Sequence, residues 1–248
     1  MKSLYDFPQI YDLVLERPGG VVETEVQSLV HLFAEHNIAG GKVLELACGA
    51  CAHGIPLAKA GFQVVGIDRS AAMLAEAQCR AKAEDVNICT VEGDVIDFDL
   101  AQADFDAAIF MYETFPLITE PRDMVRHFSA VRRHLKRGGI YVVDVDIPKP
   151  SARTTGEWGR RTLSLPDGYV ETWCEDFPDH LTLHCRICLG DQVHETRDDW
   201  HVRVYSPREL YLLVQTLEGW QLDGFYSWRD LSVDIANVNH YFLVFIAS

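Results

Sequence analysis

A doubly wound α/β fold is what the sequence predicts, and three observations predict it. Short apolar strands alternate with helical stripes between residues 40 and 147. Three carboxylates, Glu45, Asp68 and Asp94, fall at the ends of three successive strands. Beyond residue 160 the period changes to strand-like alternation. Apolar strands separated by helices read as a parallel sheet covered on both faces, and the later alternation as an antiparallel addition.

In order, the first 20 residues carry Tyr5, Phe7 and Tyr11 and then Pro18-Gly19-Gly20, which predicts a short helix or ordered arm and a turn. Val22, Val26, Leu29, Val30 and Phe33 make a helical stripe over 21–36. Val43, Leu44 and Leu46 form the first strand, followed by a run of mostly small residues from Ala47 to Gly54 and a helix over 55–60. The second strand is 62–67, Ser70 caps a helix to about Ala83, and 86–91 is the third strand. Phe105 to Met111 is the fourth. A helix over 123–135 is closed by Lys136, Arg137, Gly138 and Gly139, which would complement its dipole and supply a left-handed cap. Ile140 to Val145 is the fifth strand. Alternating runs at 169–177, 181–189 and 194–205 predict an antiparallel three-stranded meander. Ser206, Pro207 and Glu209 mark a helix start running to about Leu217, and 221–228 and 241–246 supply closing strands.

The 248 residues suffice for one large domain. With 22 basic and 37 acidic residues the net charge is −15, which argues against nucleic acid or an anionic membrane as the main partner. The N-terminal residues mix charged with apolar side chains, unlike a signal peptide, and no run approaches the roughly 18 apolar residues of a spanning helix. Seven scattered cysteines suit a reduced, cytoplasmic protein. The expected partner is a small molecule, with no nucleic acid and no membrane, and the expected state is a monomer or homodimer.

Ligands of a doubly wound sheet bind at the carboxyl ends of the strands, near the topological switch point. Asp68 is placed to accept from two ribose hydroxyls. Asp94 could accept from an adenine amino group while the Val95 N–H donates to the ring. Together these describe a nucleoside site. A dinucleotide turn needs Gly-x-Gly-x-x-Gly to seat a pyrophosphate. The turn from Ala47 to Gly54 lacks that spacing, and Glu45 at its mouth would repel a pyrophosphate but suit a cation.

On these residues the chain resembles the class I S-adenosylmethionine-dependent methyltransferases, in their small-molecule branch with a β insertion. The family's Glu-x-Gly-x-Gly-x-Gly motif is matched at Glu45 and Gly49, with Ala47 and Cys51 replacing its first and third glycines. The resemblance implies a Rossmann-like seven-stranded sheet, mostly parallel with the last strand antiparallel, carrying the inserted meander. It implies one methyltransferase domain over 1–248: a helical arm or lid (1–38), a cofactor-binding core (40–150), the β insertion (151–205), and a closing helix with the last two strands (206–248). It implies S-adenosyl-L-methionine as cofactor and S-adenosyl-L-homocysteine as product. The implied cofactor-binding residues are Glu45, Ala47, Cys48, Gly49, Asp68, Arg69, Met73, Asp94, Val95, Phe110 and Met111, with the Ala47 and Phe110 backbones flanking the methionine end. The segment from Met111 to Phe115 matches the lining of the cofactor and acceptor site.

The implied reaction moves a methyl group to a nitrogen or oxygen of a small acceptor by in-line displacement, where positioning supplies most of the rate. A general base is needed only for a protonated acceptor. Tyr112, Glu113, Asp144 and Asp146 are the candidates, with Tyr5, Tyr11 and Trp158 as lid or substrate contacts. Trp173 and Trp200 could line an acceptor pocket or simply pack across the meander. Other readings compete. Glu45 could cap backbone N–H groups, Asp68 could cap the helix beside Ser70, and Asp94 could stabilise a turn. His53 could be a base or a packing residue at a helix start. Cys185 and Cys188 have half-site metal spacing, but on a strand they point to opposite faces, so no metal is expected. Two alternative functions use the same cofactor: a non-methylating reaction such as cyclisation, and binding without turnover.

Overall fold

The structure, a computed structural model, describes residues 2–15, 20–146, 156–177, 180–203, 205, 207–227 and 240–248. Its strands are β1 (Gly41–Leu46), β2 (Phe62–Asp68), β3 (Ile88–Glu92), β4 (Phe105–Phe110), β5 (Leu135–Asp146), β6 (Gly156–Leu165), β7 (Gly168–Asp176), β8 (Leu181–Leu189), β9 (Gln192–Trp200), β10 (Trp220–Tyr226) and β11 (His240–Ala247). Its helices are α1 (Pro8–Val14), α2 (Val21–Glu35), α3 (Gly54–Lys59), α4 (Ala71–Ala83), α5 (Pro121–His134) and α6 (Pro207–Thr216). The described residues within 18–149 and 204–248 form one unit, and those within 1–17 and 150–203 another.

The first unit is a seven-stranded sheet in the order β10-β11-β5-β4-β1-β2-β3. β1 to β5 pair in parallel, and β11 runs antiparallel to both β5 and β10. This is the Rossmann-like, mostly parallel sheet with its last strand reversed. Covering both faces is what keeps β1 and β4 apolar along their length: Val43, Leu44, Ala107, Ala108 and Ile109 are all fully buried. Alternate residues divide between two cores, one containing Leu44, Phe110, Phe128 and Tyr141, the other Leu29, Phe33, Val43 and Ile109. From β1 the chain moves outward to β2 and β3, then returns to β4 on the other side of β1. That reversal is the switch point, where a crevice opens at the strand ends.

One local expectation fails here. α5 ends at Leu135 in an extended conformation (φ −84°, ψ 144°), with no left-handed cap. β5 begins at once, and Gly138 (φ +81°) lies inside it, in the stretch where pairing with β4 shifts register between Phe105 and Ala107. The Gly-Gly pair makes a kink in a strand rather than the end of a helix.

The second unit is an antiparallel meander of four strands, β6-β7-β8-β9, one more than the sequence predicts. β6 escapes the alternation rule because Gly159 (φ +65°) and a register shift between Trp158 and Arg161 break its period. β9 stops at Trp200 rather than 205, because its partner begins at Leu181, opposite Trp200, and nothing remains to pair. Val170, Leu183, Cys185 and Ile187 pack with Leu4, Ile10 and Val14 of the N-terminal segment. Asp198 fastens that segment by accepting from the Leu4 N–H at 2.9 Å and from the Ser3 hydroxyl. Cys185 is buried in this cluster, whereas Cys188 lies beside Tyr169 on the other face. The Ser206 cap lies outside the described residues.

Candidate cofactor and active site

The turn after β1 is built on left-handed backbone. Ala47 (φ 47°), Gly49 (φ 52°) and Cys51 (φ 55°) all adopt it, at the three positions of the small-residue repeat. Each non-glycine residue there costs roughly 1–2 kcal/mol of backbone strain. The Cys48 and Cys51 thiols fit because Gly66 on β2 has no side chain: a Cβ there would lie 2.7 Å from Cys48 Sγ and 2.9 Å from Cys51 Sγ. Met73 Cε lies 3.1 Å from where a Cβ on Gly49 would stand, so α4 packs directly over the turn.

Asp68 ties these parts together. Its Oδ2 accepts from the Gly49 N–H and its Oδ1 from the Ser70 N–H, both at 2.8 Å. The helix-cap alternative is therefore present in the fold, with Ser70 Oγ accepting from the Met73 N–H at 3.3 Å. Carboxylate oxygens take more than one donor each, so these bonds leave acceptor capacity for a ligand. Arg69 is exposed.

Glu45 is buried, and its Oε2 has no hydrogen-bond partner among the described residues. Its Oε1 lies 3.7 Å from His53 Nδ1. On the other side of the ring, His53 Nε2 meets Glu25 Oε2 of α2 at 2.8 Å. Burial works to lower the His53 pKa, but hydrogen bonding to Glu25 and Glu45 and their charges overcome it and raise it to about 9. At neutral pH the ring is therefore an imidazolium between two acids. The Tyr112 ring stands edge-on to it, with centroids 4.9 Å apart.

Asp94 is exposed and its Oδ1 accepts from the Ile96 N–H at 2.8 Å, so the turn alternative is also realised. The Val95 carbonyl accepts from His127 Nδ1 at 2.7 Å. Phe110 and Met111 are buried at the end of β4. Tyr112 (φ 59°) and Glu113 (φ 51°) follow in consecutive left-handed conformations, a second strained turn beside the first. Both side chains are exposed. Asp144 is fully buried and accepts from the Glu113 N–H at 3.2 Å.

β1, β2 and β3 are adjacent, as are β1 and β4, so Glu45, the small-residue turn, Asp68, Asp94, Val95 and the Phe110–Glu113 segment share one end of one sheet. Tyr5 and Tyr11 belong to the other unit, where their rings pack 5.2 Å apart. Trp173 stacks on His184 with Arg160 over its ring, and Trp200 packs into the covered face of the meander. The side chains of Trp158 and Asp146 lie outside the described residues.

Known proteins share this fold. The family described as "Methyltransferase domain" matches residues 43–139. An S-adenosylmethionine-dependent methyltransferase from Clostridium acetobutylicum superposes with a TM-score of 0.79 over 98% of both chains, at 16% identity. Residues 43–139 thus match a methyltransferase domain, and the fold is that of the class I S-adenosylmethionine-dependent methyltransferases. Among curated relatives, an uncharacterized methyltransferase of Synechocystis is 30% identical over 153 residues, 59% of this chain and 66% of that protein. A glycine/sarcosine N-methyltransferase of Parasynechococcus marenigrum is 30% identical over 141 residues, 56% of this chain and 49% of that one. The chain spans between 42% and 66% of the length of the curated relatives it matches. S-adenosylmethionine is the cofactor of this methyltransferase class. The site fits such a group in two respects. A buried carboxylate oxygen at Glu45 is unpartnered, and the turn beside it is made of small residues.

Two buried polar side chains beside the site escaped the sequence reading. Glu25 lies three positions after Val22 and four before Leu29, on the buried stripe of α2, where an acid needs a partner. His127 likewise falls between Met124 and Val131 on the buried face of α5. A charged or polar residue inside an apolar stripe was the available signal in both cases.

Among the described residues no helix is long and apolar enough to cross a membrane, and no group of three or more side chains is gathered as a metal site.

Proposed function

We propose that the chain transfers a methyl group from S-adenosylmethionine to a nitrogen of a small acceptor. The observation that carries this reading is Asp68, whose carboxylate bridges the turn after β1 and the start of α4. A ribose at the end of β2 would meet an acceptor already held in place by two backbone donors. In the same reading Asp94 and the Val95 N–H take the adenine, and the backbones of Ala47 and Phe110 flank the methionine portion. The buried Glu45 carboxylate, with one oxygen unpartnered among the described residues, favours a cation nearby.

When bound, the cofactor supplies a methyl carbon activated by its positive sulfur. The chain's contribution is to hold the acceptor in line and to exclude water. Tyr112 and Glu113 sit on the strained turn after β4, where the side chains can face an acceptor; the Glu113 carboxylate, or Tyr112 only as its phenolate, could take a proton from an ammonium. Asp144 acts by fixing that turn through the Glu113 N–H. Nitrogen is favoured over oxygen by the curated relative named as a glycine/sarcosine N-methyltransferase. Tyr5, Tyr11 and Trp158 remain the proposed lid and substrate contacts, within a single-domain enzyme of residues 1–248.

Calorimetry with S-adenosylmethionine and S-adenosylhomocysteine tests the cofactor. Both are expected to bind, and Asp68→Ala is expected to weaken both at least tenfold. No binding of either sinks the reading. Transfer of a labelled methyl group across a panel of small amines and alcohols then separates turnover from binding. The product left behind distinguishes methylation, which releases S-adenosylhomocysteine, from cyclisation, which does not.

A further inference from the structure

The segment after β3 is held at its start by the Gly93 N–H, which donates to the Asp68 carbonyl at 3.0 Å, and along its length by the face of α5. Arg126 and Arg133 reach Asp97 at 3.2 and 3.1 Å, and Arg133 also donates to the Phe98 carbonyl at 3.0 Å. His134 Nε2 accepts from the Leu100 N–H at 2.9 Å. The arginine–aspartate pairs are about half exposed, where ion pairs contribute little. The α5 contact nearest Asp94 is different in kind. His127 is fully buried, with Nδ1 2.7 Å from the Val95 carbonyl and Nε2 2.5 Å from the Tyr141 hydroxyl of β5.

The chemistry of the partners fixes this arrangement. A carbonyl only accepts, so Nδ1 carries the hydrogen. Burial holds the ring neutral, with a pKa lowered to about 4 against the opposing pull of the Val95 carbonyl and the Asp94 charge. Nε2 is then an acceptor and the Tyr141 hydroxyl donates to it. Tyr141 is itself fully buried in a central strand, so the chain of bonds runs from the rigid sheet through a ring with one tautomer to the Val95 carbonyl. Phe110 and Phe115 pack against the ring, with centroids 5.3 and 6.3 Å away, and leave it little freedom to turn.

We infer that His127 is a positioning residue for base recognition: through the Val95 carbonyl it sets where the Asp94 carboxylate and the Val95 N–H stand, and so sets the preference for adenine over a deaminated base. The inference rests on the reading that Asp94 and Val95 receive the adenine. Adenine offers an amino donor and a ring-nitrogen acceptor at that edge, matching a carboxylate and an N–H. Hypoxanthine offers an oxygen acceptor and a ring N–H, the inverse pattern, and meets two mismatches. That discrimination depends on position, so it weakens when the segment can shift.

The test compares the affinities of S-adenosylhomocysteine and S-inosylhomocysteine, using the full chain. His127→Leu is expected to weaken the adenosyl compound about tenfold while barely changing the inosyl one, so the ratio collapses. Tyr141→Phe removes one hydroxyl and is expected to lower the ratio about threefold. His127→Gln, whose amide can both donate and accept, is expected to restore most of it. A purely structural role would lower the melting temperature and leave the ratio unchanged. If His127→Leu does not fold, Tyr141→Phe decides alone. Failure of S-adenosylhomocysteine to bind the wild-type chain overturns the proposed function. Binding with a ratio that Asp94→Asn does not move overturns the adenine placement, and this inference with it. A ratio moved by Asp94→Asn but by neither His127→Leu nor Tyr141→Phe overturns this inference alone.

Discussion

His53 and Glu25 meet at 2.8 Å with both side chains fully buried, so an ion pair sits where water cannot solvate either partner. Such pairs add little net stability when formed, but removing Glu25 takes away the imidazolium's 2.8 Å partner and leaves only Glu45, 3.7 Å away, to balance a fully buried charge. Glu25→Gln is expected to destabilise the protein by about 3 kcal/mol. Denaturant unfolding at neutral pH measures this directly. A loss below about 1 kcal/mol would mean the ring is neutral and the pair is an ordinary hydrogen bond.

Two of the buried histidines, His53 and His127, should bend the pH–stability profile in opposite directions. His53 has its pKa raised from 6.5 to about 9, so its contribution is fully present below pH 6.5 and is lost as pH rises through 9. His127 has its pKa lowered from 6.5 to about 4, so it carries no penalty above pH 6.5 and a growing one as pH falls toward 4. Each displacement corresponds to about 3 kcal/mol. In unfolding midpoints measured from pH 4 to pH 9.5, His127→Gln should flatten the acid limb relative to wild type and leave the alkaline limb unchanged. An unchanged acid limb would show that His127 is charged in the fold.

Gly66 should tolerate no side chain. A Cβ would press on both Cys48 Sγ and Cys51 Sγ, so Gly66→Ala is expected to cost about 1–3 kcal/mol, the usual range for overpacking. Adding Cys51→Gly removes one of the two clashes and relieves a left-handed residue, so the double variant should be more stable than Gly66→Ala alone. Additive losses in thermal unfolding would contradict this.

The backbone of the turn makes a separate forecast. Ala47→Gly relieves strain at φ 47° while loosening the unfolded chain, so the net gain is expected to be about 0.5 kcal/mol. Cys51→Gly alone should leave cofactor affinity within about tenfold, or 1.4 kcal/mol, of wild type. A greater loss in calorimetry would assign the thiol a direct part in binding.

Most of the sheet could be read from residues 40 to 147, because a parallel strand buried on both faces announces itself as an unbroken apolar run. Asp68 was legible for the same reason: it ends such a run. β6 was not, since Gly159 and the adjacent Arg160 and Arg161 erase its alternation, and only pairing with β7 reveals it. The kink at Gly138 looked like a helix cap because a basic residue followed by glycine satisfies either structure. The partners of Glu45 were hidden by distance in sequence. A carboxylate at a strand end shows that something must approach it, but not that the approaching group is a histidine whose charge is held by Glu25, 20 residues earlier.

The placing of β11 between β5 and β10 sets an order on assembly. β10 is made before β11 yet touches the sheet only through it, so β10 waits at the edge until the later strand has threaded into place. The strands that carry Glu45, Asp68 and the turn after β4 need no such wait, since β1 to β5 pair with one another directly. During synthesis, the five strands that hold the carboxylates can therefore form while an apolar edge of β5 stands open. Until β11 closes it, that edge is the most exposed route to pairing with another chain.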